Sequence, residues 1–323
     1  MIYLGILLTF LMTGHLAADN KGQNNYHSLE PLLIFNSNPQ GFVPKPFWES
    51  MAWKRGATGE DLFEDTDIKI AENNFEKFCD KVSSIPKSDY LKPPVDYSIP
   101  PIIHFIWLGS PVSSRANSVI ESWKRYHPEW KIMIWTDLEV SDFSWSSPRL
   151  HSAFTLADTF AEKADILRLE ILYQFGGIYS DTDVVCFKPF HDLVTNGLTF
   201  FSCLEMNYYN KNFKDPHYKP LYIGTAVMGA SKGSSIMKYC LDHYRTSQEA
   251  PAVGLIMRAG PGLASRACHE ALISSDNEDI LILPCSYFYP LPYENKWIPS
   301  EEILNFIGSE SFVVHFWDGS WFK

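Results

Sequence analysis

Two aspartates separated by a single threonine, Asp181-Thr182-Asp183, follow directly on Gly176-Gly177-Ile178-Tyr179-Ser180. Read as a glycine stop, a short strand and its far end, this order puts both carboxylates on extended backbone. Side chains there repeat every second position and so point the same way. Carboxylate oxygens paired at an open strand end suit a hard divalent cation that must also hold phosphate oxygens. The chemistry indicated is the handling of a phosphate or diphosphate, and therefore an enzyme. A second pair stands upstream in Lys163-Ala164-Asp165-Ile166-Leu167-Arg168, where Asp165 and Arg168 are three apart and share one helical face. Ile166, Leu167, Leu169, Ile171 and Leu172 make that helix apolar on most sides. Charges on a buried helix are rare, so the pair reads as functional rather than as an exposed ion pair worth under about 1 kcal/mol.

The elements that must carry these residues follow from the hydrophobic pattern. Ile102 to Leu108 is a mostly apolar run, as in a strand buried on both faces, and Gly109-Ser110-Pro111 stops it. Asn117 to Tyr126 places Val119, Ile120, Trp123 and Tyr126 on one helical face, and Trp130 to Trp135 is a second strand. The helix bearing Asp165 is expected over about Thr159 to Phe175, with Asp158 as its N-cap and Gly176 as its stop. Further strands are expected at Leu198–Leu204, Tyr222–Ala230, Ile280–Leu283 and Phe312–Phe316, with a helix from Ser234 to Tyr244. Strand–helix–strand alternation on this scale argues for an α/β fold with a mostly parallel sheet. Upstream, residues 19–98 are polar and broken by Pro and Gly, with one helix expected over Ile68–Val82; they read as an accessory extension.

Composition narrows the functional classes. The chain has 323 residues, 46% of them hydrophobic and 15% aromatic, enough to bury a full core. A net charge of -11 with no Lys/Arg run excludes nucleic-acid binding through phosphate neutralisation. An acidic protein that handles an anionic ligand needs a cation between the two. The six cysteines are scattered, with no zinc spacing, and read as buried free thiols, although export would permit one or two disulfides. Residues 1–18 are apolar with a small-residue Ala17-Ala18 end, which suits a cleaved export signal better than a permanent anchor, though either would put the chain in or on the export route. The expected location is therefore exported, secreted or lumenal, or membrane-associated through this N-terminus.

The helix-to-strand passage from Ala164-Asp165-Ile166-Leu167-Arg168 to Tyr179-Ser180-Asp181-Thr182-Asp183 resembles the sugar-nucleotide-dependent glycosyltransferases with a DXD motif. The nearest likeness is glycosyltransferase family 32, and more distantly the catalytic domain of the large clostridial glucosylating toxins. The resemblance covers roughly Pro100 to the C-terminus. It implies a GT-A fold over residues 99–323, a Rossmann-like nucleotide-diphospho-sugar transferase. It also implies a divalent metal, manganese in the first place with magnesium as the alternative, and sugar transfer with retention at the anomeric carbon. The donor implied is a UDP- or GDP-sugar and the acceptor a glycan or a protein.

Carried over by position, Asp183 ligates the metal directly, while Asp181 contacts the donor and reaches the metal through water. Asp165 and Arg168 hold the donor sugar, and Tyr179 lines the same pocket. Trp107, at the end of the first strand, stacks on the base, with core packing the competing reading. In the closing segment Val313-Val314-His315-Phe316-Trp317-Asp318-Gly319-Ser320-Trp321, Ser320 and Trp321 approach the diphosphate. His315 supports the metal or the phosphates there, against a purely structural role. Gly260-Pro261-Gly262 matches a turn near the sugar or acceptor that a plain loop explains nearly as well.

Two other readings compete. Asp181-Thr182-Asp183-Val184 also looks like the nucleophile loop of haloacid-dehalogenase-type phosphatases, which would need a further acidic cluster from Asp276, Glu278 or Asp279. A non-catalytic module binding a glycan or a protein on the same fold is the third.

Overall fold

The computed structural model describes residues 29–33, 41–51, 66–85, 96–205, 222–251, 254–274 and 279–318. Residues 1–28, with the expected export signal, lie outside the described residues, as do Ser320 and Trp321. Eight strands are found among the described residues: β1 Ile102–Ile106, β2 Lys131–Trp135, β3 Gly177–Ser180, β4 Val184–Cys186, β5 Phe200–Leu204, β6 Ile223–Ala230, β7 Ile280–Leu283 and β8 Val313–His315. Six form one sheet in the order β2-β1-β3-β6-β5-β7, while β4 and β8 form a separate pair. Adjacent pairs β1–β2, β1–β3 and β5–β7 are parallel, and only β6 runs against its neighbours. The fold is the expected α/β class with a mostly parallel sheet.

Helices of two turns or more cover this sheet: α1 Thr66–Ser83, α2 Ser114–Tyr126, α3 Pro148–Leu156, α4 Phe160–Phe175, α5 Ser235–His243 and α6 Pro261–Ser274. Helix α2 starts three residues before the expected Asn117, because Ser113 caps it by accepting from the Ala116 N–H at 3.1 Å. For α4 the expected cap, Asp158, is displaced by one residue. Thr159 accepts from the Glu162 N–H at 3.1 Å, and the helix begins at Phe160. Gly176 ends α4 with φ 65° and ψ −163°, a conformation open to glycine and costly for other residues. Strand β1 stops at Ile106 rather than Leu108, so Trp107 leaves the sheet at its C-terminal edge.

The aspartate pair departs most from the strand reading. Strand β3 ends at Ser180, and Asp181, Thr182 and Asp183 form the turn that leads into β4. Strand periodicity therefore does not aim the two carboxylates; the turn does. Its geometry is held from both sides. The Asp181 N–H donates to Ala226 O on β6 at 2.8 Å, and β4 pairs with β8 so that Val184 stands opposite His315.

The core runs through both faces of the sheet. Trp123 of α2 is fully buried and anchors β4 by donating from Nε1 to Val184 O at 2.8 Å. All six cysteines are free, five of them buried and Cys79 half-buried. Helix α1 covers the outer strand β7, where Asn74 Nδ2 donates to Ile280 O at 3.1 Å. Its Phe75 and Phe78 join Phe42, Tyr287 and Phe312 in a ring cluster, with Phe42 at 4.9 Å from Phe78 and 5.4 Å from Tyr287. The N-terminal extension thus shares the main core. Among the described residues no helix is long and apolar enough to cross a membrane.

Candidate active site

In open α/β sheets ligands sit beyond the carboxyl ends of the strands. At that edge this chain gathers Trp107 after β1, Asp181 after β3 and Glu205 after β5, joined by the N-terminal end of the reversed strand β6. At its centre Asp181, Asp183 and His315 each offer one ligand atom, and these atoms all lie within 4.8 Å of one another. His315 Nε2 is 3.3 Å from Asp183 Oδ2, and the Asp318 N–H donates to the same oxygen at 2.9 Å. Trp317 makes this contact available. Its φ of 57° is the left-handed conformation, rare for a bulky side chain, and it turns the chain so that Asp318 faces Asp183. Asp318 in turn is held by Arg115 of α2, at 2.8 and 3.2 Å.

Electrostatics separate the two acids. Burial pushes Asp183 up, but the His315 charge and the hydrogen bonds from His315 and Asp318 overcome it and hold the carboxyl below the usual range. Burial pushes Asp181 up too, and the neighbouring Asp183 charge adds to it against Arg168. Burial disfavours the His315 imidazolium, yet the Asp183 and Asp181 carboxylates raise it above its ordinary value. Glu205 is pushed up to about 7, chiefly by burial. Two carboxylates and an imidazole are a donor set that a divalent cation fits. His315 Nδ1 is buried without a hydrogen-bond partner, as are Asp165 Oδ2 and Arg168 Nε. Unsatisfied buried polar atoms are uncommon in folded proteins, and each calls for a physical reason, a bound water or ion among them.

The second pair lies beside the first. Arg168 Nη2 bonds to Asp165 Oδ1 and stands 3.8 Å from Asp181 Oδ1, while Nη1 donates to Thr225 O at 2.6 Å. Its guanidinium lies over the Tyr179 ring at 4.6 Å, and the Tyr179 hydroxyl donates to Asp181 Oδ1 at 2.6 Å. Asp165 is fully buried, and burial pushes its carboxyl up to about 7 despite Arg168. The expected residues Asp165, Arg168, Tyr179 and Asp181 are thus linked by direct contacts, and Asp183 and His315 stand beside them with ligand atoms within 4.8 Å. Trp107 is half-buried at the same edge, with Nε1 donating to Ser110 Oγ and Pro111 O, both at 3.1 Å. Gly260 also belongs here, since a Cβ on it would lie 3.6 Å from Asp165 Oδ2.

Several participants were not singled out from the sequence. Asp318 sits inside the closing segment but its role is played by its backbone N–H, which no residue type signals. Glu162 and Arg258 form a buried ion pair at 2.6 Å, for which the only signal was that Glu162 precedes Asp165 by one helical turn. Of the acids the phosphatase reading needs, Asp276 and Glu278 lie outside the described residues. Asp279 binds Thr199 Oγ1 at 2.6 Å, at the N-terminal ends of β5 and β7 and hence on the edge opposite Asp181.

The chain is similar to one described family and to several known proteins. Residues 113–199 match the family described as glycosyltransferase sugar-binding region containing DXD motif. Inositol phosphoceramide mannosyltransferase 1 of Schizosaccharomyces pombe is 26% identical over 69% of this chain, which spans 62% of that relative's length. An uncharacterized glycosyltransferase of Acanthamoeba polyphaga mimivirus is 23% identical over 69% of this chain and 84% of its own. Among solved structures the PaToxG glycosyltransferase is similar over 66% of this chain and 82% of its own, at 17% identity and a TM-score of 0.42. That last likeness is too remote to carry weight. Residues 113–199 of this chain are thus similar to the DXD-containing sugar-binding region of glycosyltransferases.

Proposed function

We propose that this protein transfers a sugar from a nucleotide diphosphate donor to a glycan or protein acceptor, with a divalent metal and with retention at the anomeric carbon. The observation that carries the reading is the convergence of Asp181, Asp183 and His315 ligand atoms within 4.8 Å, beside the buried Asp165–Arg168 pair. In this reading residues 99–323 form the transferase unit and 19–98 an accessory segment, the whole acting in or on the export route. Asp183 is the direct metal ligand, already ionised by its neighbours; Asp181 reaches the metal through water, and His315 completes the set. The bound cation, manganese before magnesium, supplies charge neutralisation for a diphosphate leaving group.

The remaining work falls to the chain's own groups. Arg168, pinned by Thr225 O and Asp165, presents a fixed positive charge beside Asp181. Asp165 offers its unpartnered Oδ2 to a donor hydroxyl; a buried acceptor without a partner gains a full hydrogen bond on binding one. Tyr179 holds Asp181 and Arg168 in register, and Trp107 offers its ring for the base. Ser320 and Trp321 are assigned to the diphosphate from the family likeness alone.

The reading is tested by screening nucleotide-sugar hydrolysis with manganese over a donor panel. GDP-mannose comes first because the Schizosaccharomyces pombe relative is named for mannose transfer. Transfer to inositol phosphoceramide is then assayed beside glycan and protein acceptors. Asp183→Asn is expected to reduce turnover by roughly a thousandfold or more while the protein stays folded. Wild-type turnover in that variant would refute the metal role. A chain that neither hydrolyses nor binds any member of the panel would favour the non-catalytic module.

A further inference from the structure

Resting on the transferase reading above, we infer that Glu162 and Arg258 are positioning residues whose buried ion pair sets the wall of the sugar pocket opposite Asp165, and with it the donor sugar the site accepts. Glu162 occupies the first turn of α4, three residues before Asp165 and so on the same side of the helix. Arg258 ends the short helix Leu255–Arg258, two residues before Gly260. Its Nη1 donates to Glu162 Oε1 at 2.6 Å, and Tyr244 Oη donates to the same oxygen at 3.1 Å. Arg258 Nη1 also reaches Arg245 O at 3.2 Å. Both charged residues are buried.

This pair couples two elements that sequence order keeps far apart. The Glu162–Arg258 ion pair joins the 254–262 segment to α4, and two residues beyond it stands Gly260. A methyl there would come within 3.6 Å of Asp165 Oδ2, the buried carboxylate oxygen left without a partner. Any sugar hydroxyl that bonds to Oδ2 must therefore fit between Asp165 and the Gly260 turn. Moving the turn changes the room for the sugar beside Asp165, while no contact of Glu162 or Arg258 among the described residues reaches Asp181, Asp183 or His315. A displacement of about 1 Å at such a wall is enough to cost tenfold or more in productive binding. A buried ion pair is weak evidence for a stability role, since desolvation offsets most of its attraction.

The test compares two probes by calorimetry in the presence of manganese, on the full chain: a nucleoside diphosphate and the matching nucleotide sugar. Variants are Arg258→Met, Glu162→Gln, the double variant E162Q/R258M, and Gly260→Ala. Single removal of one charge is expected to lower Tm, and the double variant to recover most of it. In the double variant and in Gly260→Ala, nucleotide-sugar affinity is expected to fall about tenfold with diphosphate affinity unchanged, and KM for donor hydrolysis to rise more than kcat falls. Unchanged sugar affinity in both would make the pair a structural brace and overturn the inference, while the transferase reading stands. A wild-type chain that binds neither probe would refute the transferase reading, and this inference with it.

Discussion

At the residue scale the site works by giving like groups unlike surroundings. Asp183 faces an imidazole and a backbone N–H and is held low; Asp181, two residues away, is pushed up by burial and by its neighbour. One carboxylate is thus ready to bind a cation, and the other is tied to Tyr179 and Arg168. His315 enters the same set only in its neutral form, since a protonated ring has no lone pair to offer. The carboxylates raise it above its ordinary 6.5, so protons compete with metal to a higher pH than at a free imidazole. Manganese affinity is therefore expected to rise with pH from 6 to 8. Calorimetry across that range checks it, and the pH dependence should flatten in His315→Gln.

At the element scale the turn geometries decide what the side chains can do. Helix α4 must stop abruptly for β3 to start beneath it, and Gly176 provides the stop at φ 65°. A Cβ there would approach Lys232 N to 2.7 Å and Ala230 O to 3.0 Å, both backbone atoms that cannot swing aside. Gly176→Ala is expected to cost about 2–4 kcal/mol, from strain at the special conformation together with this clash. Denaturant unfolding measures it, and a loss below about 1 kcal/mol would mean that the turn relaxes without cost. The β4–β8 pair is the other decisive element. It returns the end of the described chain to the aspartate turn, and Trp317 then bends it toward Asp183.

For the whole molecule, the N-terminal helix and two histidines bear on stability. Phe75 of α1 is 1% exposed, within ring contact of Phe42, Phe47 and Tyr287. Phe75→Ala is expected to cost about 3–5 kcal/mol and to lower a single unfolding transition of the whole chain. A separate early transition would instead make the extension an independent unit. His104 and His127 are buried with both ring nitrogens engaged. His127 donates from Nδ1 to Trp123 O at 2.8 Å and accepts the Phe190 N–H at Nε2, 2.9 Å. His104 donates from Nε2 to Gly176 O at 2.9 Å and accepts from Trp135 Nε1 at 3.1 Å. Each ring already accepts an N–H, so a second proton has no place, and burial pushes both down to about 4. In the unfolded chain they protonate near 6.5, so this stability is complete above that pH and is lost as pH falls toward 4. At pH 5, about 1.5 units below the unfolded value, the loss is about 2 kcal/mol for each ring at 1.36 kcal/mol per unit. Urea midpoints between pH 8 and pH 5 test the sign; a midpoint that rises on acidification would contradict it.

The order of residues alone determined the α/β class, the buried helix with Asp165 and Arg168, and the acidic pair of the candidate site. These are legible because burial imposes a local period, and because charges within an apolar helix stand out against it. The strand placement of the aspartates failed, since a short turn and a strand end differ in hydrogen bonding and not in composition. The cap at Thr159 in place of Asp158 is a similar one-residue choice between two good cap residues. Only the tertiary structure decided that His315 and the Asp318 N–H meet Asp183, that β6 runs against the sheet, and that Arg258 reaches Glu162. Each joins residues far apart in the chain, and pairing between distant segments is set by how the sheet and its helices close on one core, which no local pattern encodes.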